Sequence, residues 1–316
     1  MTTDSSQLAD MIVLSGATFG MGSERFYPEE APVRQVRVDP FRIDATPVTN
    51  RQFAAFVEAT GYRTFAEIAP DPRDYPGMDP ALAQPGSLVF ERTASPVPLH
   101  DWTQWWSFRF GADWRHPLGP ESSLEGLEDH PVVHIAHDDA LAYAEWAGKR
   151  LPTEAEWEFA ARGGHADGRE YAWGDELAPG GKMLANYWQG MFPWSNTLLD
   201  GWERTSPVRS FPANGYGLYD MIGNVWEWTS DWYAEPAAAV KKERGACCTI
   251  DNPRGGRPED SFDPCTPDVK IGRKVIKGGS HLCAENYCQR YRPAARHPQA
   301  VDTSTSHIGF RCAASA

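Results

Sequence analysis

Glycine and proline interrupt this chain so often that it cannot be built around long regular elements. The 316 residues include 28 Gly and 26 Pro, and both residue types end or bend helices and strands. The 13 Trp residues supply large apolar side chains that can hold irregular backbone together. The sequence therefore predicts a fold rich in turns, with short elements and aromatic anchors.

Composition and charge exclude several classes of protein. Hydrophobic residues make up 41% and charged residues 23% of the chain, a balance typical of a globular protein with a sizeable core. The 30 Lys and Arg against 43 Asp and Glu give a net charge of -13, which repels nucleic acid and anionic membranes. The amino terminus lacks the basic and apolar regions of a signal peptide, and no apolar run is long enough to span a bilayer. We expect a cytoplasmic protein without nucleic-acid or membrane partners.

Local patterns predict short helices and strands. Thr49 is the expected N-cap of a helix that buries Phe53, Phe56 and Val57 and ends at Gly61. The other predicted elements are strands near the amino terminus, paired strands over 33–43, a strand at 88–90 within a loop from 70 to 98, a helix over 139–146, a helix after the capping box of Thr153 and Glu156, and strands over 274–277 and 308–314.

Two cysteines in the segment GGSHLCAENYCQRYRPAAR form the most informative pair. Cys283 and Cys288 lie five residues apart, a spacing that places side chains on opposite faces of a strand and well apart around a helix. Only a looped backbone can bring them together, and Gly278 and Gly279 permit such a loop. Two converging thiolates suit copper(I) better than zinc, which takes four ligands. The alternatives are two unrelated buried cysteines or a local disulfide.

Oxygen-bearing side chains form a second group. Asn186, Asp200, Asp220 and Glu227 lie in loops rich in glycine and aromatic residues, where turns can direct carboxylates and backbone carbonyls at one calcium ion. Their spacing matches no EF-hand, and solvated acids in turns are the alternative interpretation.

Three histidines have the spacing of helical metal ligands. His130, His134 and His137 are separated by four and three residues, but Pro131 and the two valines after it predict a strand, which would turn His137 to the opposite face. We therefore assign them no metal. His281, beside the cysteine pair, is interpreted as a surface residue, with a role in tuning the pocket as the alternative.

The remaining cysteines show no shared pattern. Cys247, Cys248 and Cys265 lie in a segment without periodicity, and adjacent cysteines do not readily form a relaxed disulfide. Cys312 is predicted to be buried in the last strand.

Four strings together resemble the formylglycine-generating enzyme family: HPVVHIAHDDALAYAEWAGKRLPTEAEWEFAARGG, NGYGLYDMIGNVWEWTSDWY, KGGSHLCAENYCQRYRPAAR and GFRCA. The resemblance implies a single irregular α+β domain over residues 11–314, distantly similar to C-type lectin folds, with a surface insertion over 235–274. The first two strings and the final one mark a wider superfamily that includes non-catalytic relatives. The cysteine pair in GGSxxCxxxxCxRYR marks the enzyme.

The same resemblance implies an activity and a site. It predicts an oxidoreductase that acts on a sulfur group and uses copper(I) and dioxygen to convert the cysteine of a Cys-x-Pro-x-Arg motif, in an unfolded sulfatase-type protein, to formylglycine. Cys283 and Cys288 would bind the copper, with Cys288 close to where the substrate cysteine enters. The implied pocket and substrate-groove residues are Ser280, Tyr287, Trp226, Trp105 and Trp106.

Two structural calcium sites are also implied by the resemblance. The first would use Asn186 and Asp200 with the carbonyls of Tyr187 and Trp202, and the second would use Asp220 and Glu227 with the carbonyls of Gly223 and Val225. One departure concerns the substrate arginine: this chain has Pro47 where some relatives have a glutamate. The acidic partner of that arginine is left unassigned.

Two rival functions use the same fold. A relative of the iron-dependent sulfoxide synthases is disfavoured because the helical domain with that family's iron histidines is not found in this sequence. A lectin-like binding module would not require Cys283 and Cys288 in a converging loop.

Overall fold

Short strands, three α-helices and six 3-10 helices of one turn make up the regular structure of the described residues. The structure, a computed structural model, describes residues 11–165, 168–235 and 249–316. The helices are α1 (Asn50–Thr60), α2 (His137–Trp146) and α3 (Glu154–Ala161). The strands are β1 (Met11–Leu14), β2 (Ala17–Met21), β3 (Arg34–Val38), β4 (Phe41–Asp44), β5 (Gly86–Phe90), β6 (Trp106–Phe110), β7 (Gly190–Met191), β8 (Ser195–Asn196), β9 (Trp226–Trp232), β10 (Ile250–Asp251), β11 (Arg273–Lys277), β12 (Arg296–Ala300), β13 (Ile308–Gly309) and β14 (Ala313–Ser315).

The strands form three sheets and two ribbons. One sheet has β4 between β1 and β14, and a second has β3 between β2 and β10. The third has the order β12-β11-β9-β13 and is antiparallel except for the pairing of β13 with β9. The ribbons are β5-β6 and β7-β8. This mixture of small sheets and short helices confirms the predicted α+β fold.

The segment over 33–43 forms two strands, but they do not pair with each other. Strand β3 pairs with β2 and strand β4 pairs with β1. Only Asp39 and Pro40 separate β3 from β4, and the chain passes from one sheet to the next at this point instead of reversing in a hairpin. The prediction of paired strands was therefore wrong about the partners, which come from the preceding segment and, as β10 and β14, from the last third of the chain.

Capping chemistry determines where the first helix begins and ends. The hydroxyl of Thr49 accepts the backbone N–H of Gln52, and the Gln52 side chain accepts the backbone N–H of Thr49. Gly61 ends α1 in the left-handed conformation, with a φ of 68°. Phe53, Phe56 and Val57 are buried, as predicted.

Helix α3 begins with the same reciprocal cap, whereas α2 has only one half of it. Thr153 and Glu156 form the predicted reciprocal cap of α3. Helix α2 begins at His137, two residues before the predicted start, because the Asp139 carboxylate accepts the backbone N–H of Ala136.

The histidine-containing segment over 131–136 is not a strand, contrary to the prediction. A single bridge joins Thr49 to Pro131, and His134 has a φ of 61°, which breaks extended backbone. The three imidazoles contact separate partners: His130 contacts the Thr205 hydroxyl, His134 contacts Ser87 and the Pro117 carbonyl, and His137 lies against Asp138.

Aromatic side chains dominate both apolar cores. Trp157 and Trp228 are almost fully buried in the main core. Trp105 and Trp188 lie in a smaller core with Phe192, and this core also contains Leu282 from the cysteine segment. The aromatic anchors that the composition predicts therefore support the region around the cysteine pair.

The segment over 235–274 is described only from residue 249 onwards. Strand β10 pairs with β3, Ser261 is buried, and most of the neighbouring residues are exposed. Cys265 is exposed, whereas Cys312 is buried beside β14 as predicted. Cys247 and Cys248 lie outside the described residues. The insertion and the domain bounds stay predictions. No helix in the described ranges is long and apolar enough to cross a membrane.

Candidate active site

The loop after β11 brings the two cysteines together. Gly278 and Gly279 have φ values of 93° and 68°, and a Cβ at Gly279 would lie 2.8 Å from the backbone nitrogen of Tyr291. The loop therefore folds back closely on itself at this point. The sulfur atoms of Cys283 and Cys288 lie 3.2 Å apart, which is longer than the disulfide bond length of about 2.05 Å. Both cysteines are free thiols.

The two thiols differ electrostatically. Burial raises the pKa of Cys283 well above its usual range. The hydrogen bond from Cys283 lowers the pKa of Cys288 to about 6, and the nearby Arg290 guanidinium acts in the same direction. Arg290 lies 3.9 Å from the Cys288 sulfur and is fixed by Glu29 at 2.6 Å and by the Tyr27 ring. Of the two sulfurs, Cys288 is therefore the one that the surroundings favour as a thiolate, with Cys283 as its hydrogen-bond partner.

A cavity with a volume of about 630 Å³ opens above the cysteines. Its walls include every pocket and groove residue predicted from the sequence, namely Ser280, Tyr287, Trp226, Trp105 and Trp106. The backbone N–H of Ser280 donates to the Cys283 sulfur at 3.4 Å. The Tyr287 ring stacks on Phe192, with ring centres 4.6 Å apart. The structure thus places these residues around the cysteine pair, while their individual roles remain predictions.

Other cavity residues come from segments that the sequence does not connect. Phe192, His297 and His307 line the same space, and His307 packs against the Trp106 ring. They approach the cysteines only through the packing of distant loops and of β12, so no local signal identifies them. Arg290, by contrast, lies in the cysteine motif itself and could have been singled out by its charge.

His281 is buried, so its interpretation as a surface residue was wrong. Its Nδ1 atom contacts the Asn224 carbonyl at 2.8 Å, and its backbone N–H donates to the same oxygen. These contacts turn the ring into the protein, and within the described ranges its Nε2 atom has no hydrogen-bond partner.

A comparison with known protein families decides where this chain belongs. The model of the sulfatase-modifying factor enzyme 1-like domain matches residues 1–316. The chain belongs to this family. A relative from Mycobacterium tuberculosis, named a formylglycine-generating enzyme, is 53% identical over 307 residues, which are 97% of this chain and 98% of the relative.

Two further comparisons bear on activity and fold. A Bos taurus protein named an inactive C-alpha-formylglycine-generating enzyme 2 is 38% identical over 321 residues, 98% of this chain and 89% of that protein. Membership of the family therefore does not by itself establish activity. PvdO from Pseudomonas aeruginosa superposes with a TM-score of 0.58 at 23% identity, over 97% of this chain and 94% of that protein, and thus shows the shared fold.

The first calcium set implied by the family resemblance contains one buried side-chain oxygen that accepts no hydrogen bond in the described residues. The buried Oδ1 of Asn186 has no hydrogen-bond partner within the described ranges. Asp200 lies next to the same loop and accepts the backbone N–H groups of Tyr187 and Trp202. The Gln189 amide donates to both Asp200 and the Tyr187 carbonyl. Of these three groups only the Asn186 oxygen is free, among the described residues, to bind an ion, because protein donors already occupy the Asp200 carboxylate and the Tyr187 carbonyl.

The second calcium set is already engaged by protein donors. Glu227 forms a buried ion pair with Arg311, which donates to both of its oxygens, and it also accepts the indole N–H of Trp157. The Asp220 carboxylate accepts from the backbone of Arg209 and from the Asn224 amide. These contacts fit calcium less well than the first set does.

Clusters of acidic, histidine and cysteine side chains do not indicate a further metal site. Across residues 11–165, 168–235 and 249–316, no group of three or more such side chains has an arrangement that could hold an ion. The cysteine pair offers two sulfur ligands, and each calcium set implied by the resemblance has fewer than three acidic side chains.

Proposed function

We propose that this protein converts the cysteine of a Cys-x-Pro-x-Arg segment, in an unfolded sulfatase-type protein, to formylglycine. The observation that supports this most strongly is the pair of free thiols 3.2 Å apart at the base of a cavity of about 630 Å³. Relatives that match nearly the whole chain are named formylglycine-generating enzymes. In the proposed reaction a substrate cysteine enters this cavity and meets the two thiols at its base.

The cysteine pair has the right chemistry for copper(I). Thiolates bind soft ions, and two sulfurs that each lie about 2.3 Å from one ion are at most about 4.6 Å apart. The separation of 3.2 Å between the Cys283 and Cys288 sulfurs lies within that limit. Bound copper(I) would supply the redox chemistry with dioxygen that protein side chains lack.

The protein's own groups prepare the thiols for this role. Arg290 stabilises the Cys288 thiolate, which a metal ligand requires. The Ser280 N–H orients the Cys283 sulfur. The rings of Trp105, Phe192 and Tyr287 contact one another and form a wall that restricts water around the sulfurs.

The overall reaction is a two-electron oxidation followed by a hydrolysis. The substrate cysteine loses a hydrogen from its β carbon and the hydrogen of its thiol, two electrons in all, and becomes a thioaldehyde. Water then adds to that carbon, the carbon–sulfur bond breaks, and sulfide leaves to give the aldehyde. Dioxygen accepts the two electrons to form hydrogen peroxide, or is reduced to water when a thiol reductant supplies two more.

An extended substrate suits the cavity better than a folded surface. Its volume of about 630 Å³ is within the roughly 300–1,000 Å³ typical of ligand pockets, and so accommodates a few residues. Cys283 is almost fully buried. A substrate cysteine can reach the sulfurs only if its neighbours enter with it, which a folded domain does not allow.

The test compares unfolded and folded forms of a sulfatase that carries the motif. After incubation with copper, air and a thiol reductant, mass spectrometry should detect formylglycine in the unfolded protein only. Cys288→Ser should abolish conversion, and Cys265→Ser, at an exposed thiol elsewhere, should leave it intact. Conversion by Cys288→Ser, or faster conversion of the folded form, would refute the proposal.

A further inference from the structure

A second groove, apolar and open, lies next to the cavity that contains the cysteines. Its volume is about 360 Å³. Ile68, Leu82 and Phe108 on its wall are 49%, 49% and 45% exposed. The polar side chains of Tyr75 and Asp302 at its edge bond to each other at 2.5 Å. The groove therefore offers mainly apolar contact to whatever occupies it.

The groove is continuous with the cysteine cavity. Leu88 and Thr303 line both spaces. On β6, Trp106 lines the cavity and Phe108 lines the groove. Residues two apart on a strand share one face, so Trp106, Phe108 and Phe110 form an aromatic stripe that runs away from the cysteines.

The spacing between neighbouring side chains of the stripe equals the spacing between alternate side chains of an extended peptide. Alternate residues of a strand are about 7 Å apart, so the stripe from Trp106 to Phe110 is about 14 Å long. In the partner strand, Leu88 lies opposite Phe108 and packs on the same face. An unfolded chain whose reacting cysteine is held in the cavity would lay alternate side chains along this surface.

We propose that the groove binds apolar side chains of the substrate segment that flanks the Cys-x-Pro-x-Arg core. The inference rests on the proposed function, because continuity with the cysteine cavity is what identifies the occupant as substrate. The Cys-x-Pro-x-Arg core then provides only part of the contacts by which the protein recognises its substrate. Sulfatase segments with apolar residues at alternate positions beside the core are preferred over segments with polar residues there.

The test uses three kinds of peptide: the core alone, the core with leucines at alternate flanking positions, and the core with serines at those positions. Leucine flanks are placed on either side of the core in separate peptides. On one side, leucine should raise kcat/KM about tenfold over serine, as expected for burial of an apolar side chain. Equal kcat/KM for leucine and serine on both sides overturns the proposal.

Two variants show whether the gain comes from the groove. Phe108→Ser and Leu82→Ser should each reduce the leucine advantage while leaving turnover of the core peptide unchanged. Val13→Ser, at a side chain that is 61% exposed on β1, is the matched control and should change neither. A leucine advantage that survives in both variants overturns the proposal. If Phe108→Ser also slows the core peptide, Leu82→Ser decides, because it lies outside the β5-β6 ribbon.

A binding measurement separates this inference from the proposed function. Fluorescence anisotropy of labelled peptides with serine in place of the reacting cysteine reports occupancy without turnover. Wild-type protein should bind the leucine-flanked peptide more tightly than Phe108→Ser does, even if no peptide is converted. Equal binding overturns the groove assignment alone. A wild-type dimer that Phe108→Ser converts to monomer in sedimentation would instead make the groove a contact between two copies, and would also overturn it.

Discussion

Replacing Glu158 with glutamine should destabilise the protein at the position that anchors the cysteine loop. Its carboxylate bonds to Lys277 at 3.1 Å and to Arg162 at 2.6 Å, and Glu158 and Lys277 are fully buried. Lys277 is the last residue of β11 and precedes Gly278. The change therefore leaves a buried ammonium without its carboxylate, directly before the loop that holds both thiols.

The size of the effect follows from the pKa of Glu158. Burial alone would raise it, but Lys277 and Arg162 outweigh burial and lower it from 4.5 to about 2. A difference of that size between folded and unfolded states corresponds to about 3 kcal/mol. This value agrees with the cost of about 3–5 kcal/mol for removing one partner of a buried ion pair in other proteins. The melting temperature should fall by roughly 6 °C or more.

The assay is thermal and denaturant unfolding at several pH values. Because the folded-state pKa lies below the unfolded one, the stabilisation is complete above about pH 4.5 and is lost as the pH falls towards 2. The difference in stability between the wild type and Glu158→Gln should therefore shrink as the pH falls from about 4.5 towards 2. Glu145→Gln, at an exposed position on α2, is the matched control.

A double-mutant cycle tests the reasoning further. Adding Lys277→Met to Glu158→Gln should cost less than the sum of the two single changes, by about 0.5–3 kcal/mol, because it removes the uncompensated charge. A cost below about 1 kcal/mol for Glu158→Gln at neutral pH, or strictly additive single changes, would refute the account of this ion pair.

Three further outcomes are expected. Copper(I) should bind with a stoichiometry of one, and Cys283→Ser should abolish tight binding in a competition titration while Cys265→Ser does not; tight binding by Cys283→Ser would contradict the two-thiolate site. A calcium chelator should lower the melting temperature of the wild type. Asn186→Leu removes the unpartnered buried oxygen, so the chelator should no longer lower the melting temperature of this variant. If the chelator still lowers it, calcium binds elsewhere. The kcat/KM for peptides should fall from arginine to lysine to glutamate at the motif's last position. Asp263→Asn removes the charge of a carboxylate on the cavity wall and should reduce the difference in kcat/KM between the arginine and glutamate peptides. Equal kcat/KM values for the three peptides in the wild type would exclude recognition by charge.

Local chemistry explains the parts of the fold that the sequence predicts. The reciprocal bonds of Thr49 with Gln52 form within four residues of the chain, so the start of α1 needs no knowledge of the rest. The convergence of Cys283 with Cys288 depends on Gly278 and Gly279, which lie in the same short segment. Both features were predictable because the interactions that produce them are close in sequence.

Features decided by distant partners were not predictable from one sequence. Strand β3 extends its sheet towards β10, more than 200 residues later, and no pattern within 33–43 reveals that. His281 is buried because its ring contacts the carbonyl of Asn224, which belongs to another loop. Phe192 and His307 reach the cysteine cavity in the same indirect way.

We propose that the cavity lined by Cys283 and Cys288 converts a substrate cysteine to an aldehyde and releases its sulfur. The most direct measurement quantifies aldehyde and sulfide together from one Cys-x-Pro-x-Arg peptide, with copper and a thiol reductant, in air and under anaerobic conditions. We expect equal amounts of aldehyde and sulfide in air, and neither product without dioxygen, without copper or with Cys283→Ser. Oxidation of the peptide to a disulfide without sulfide release, or undiminished aldehyde formation by Cys283→Ser, would contradict it.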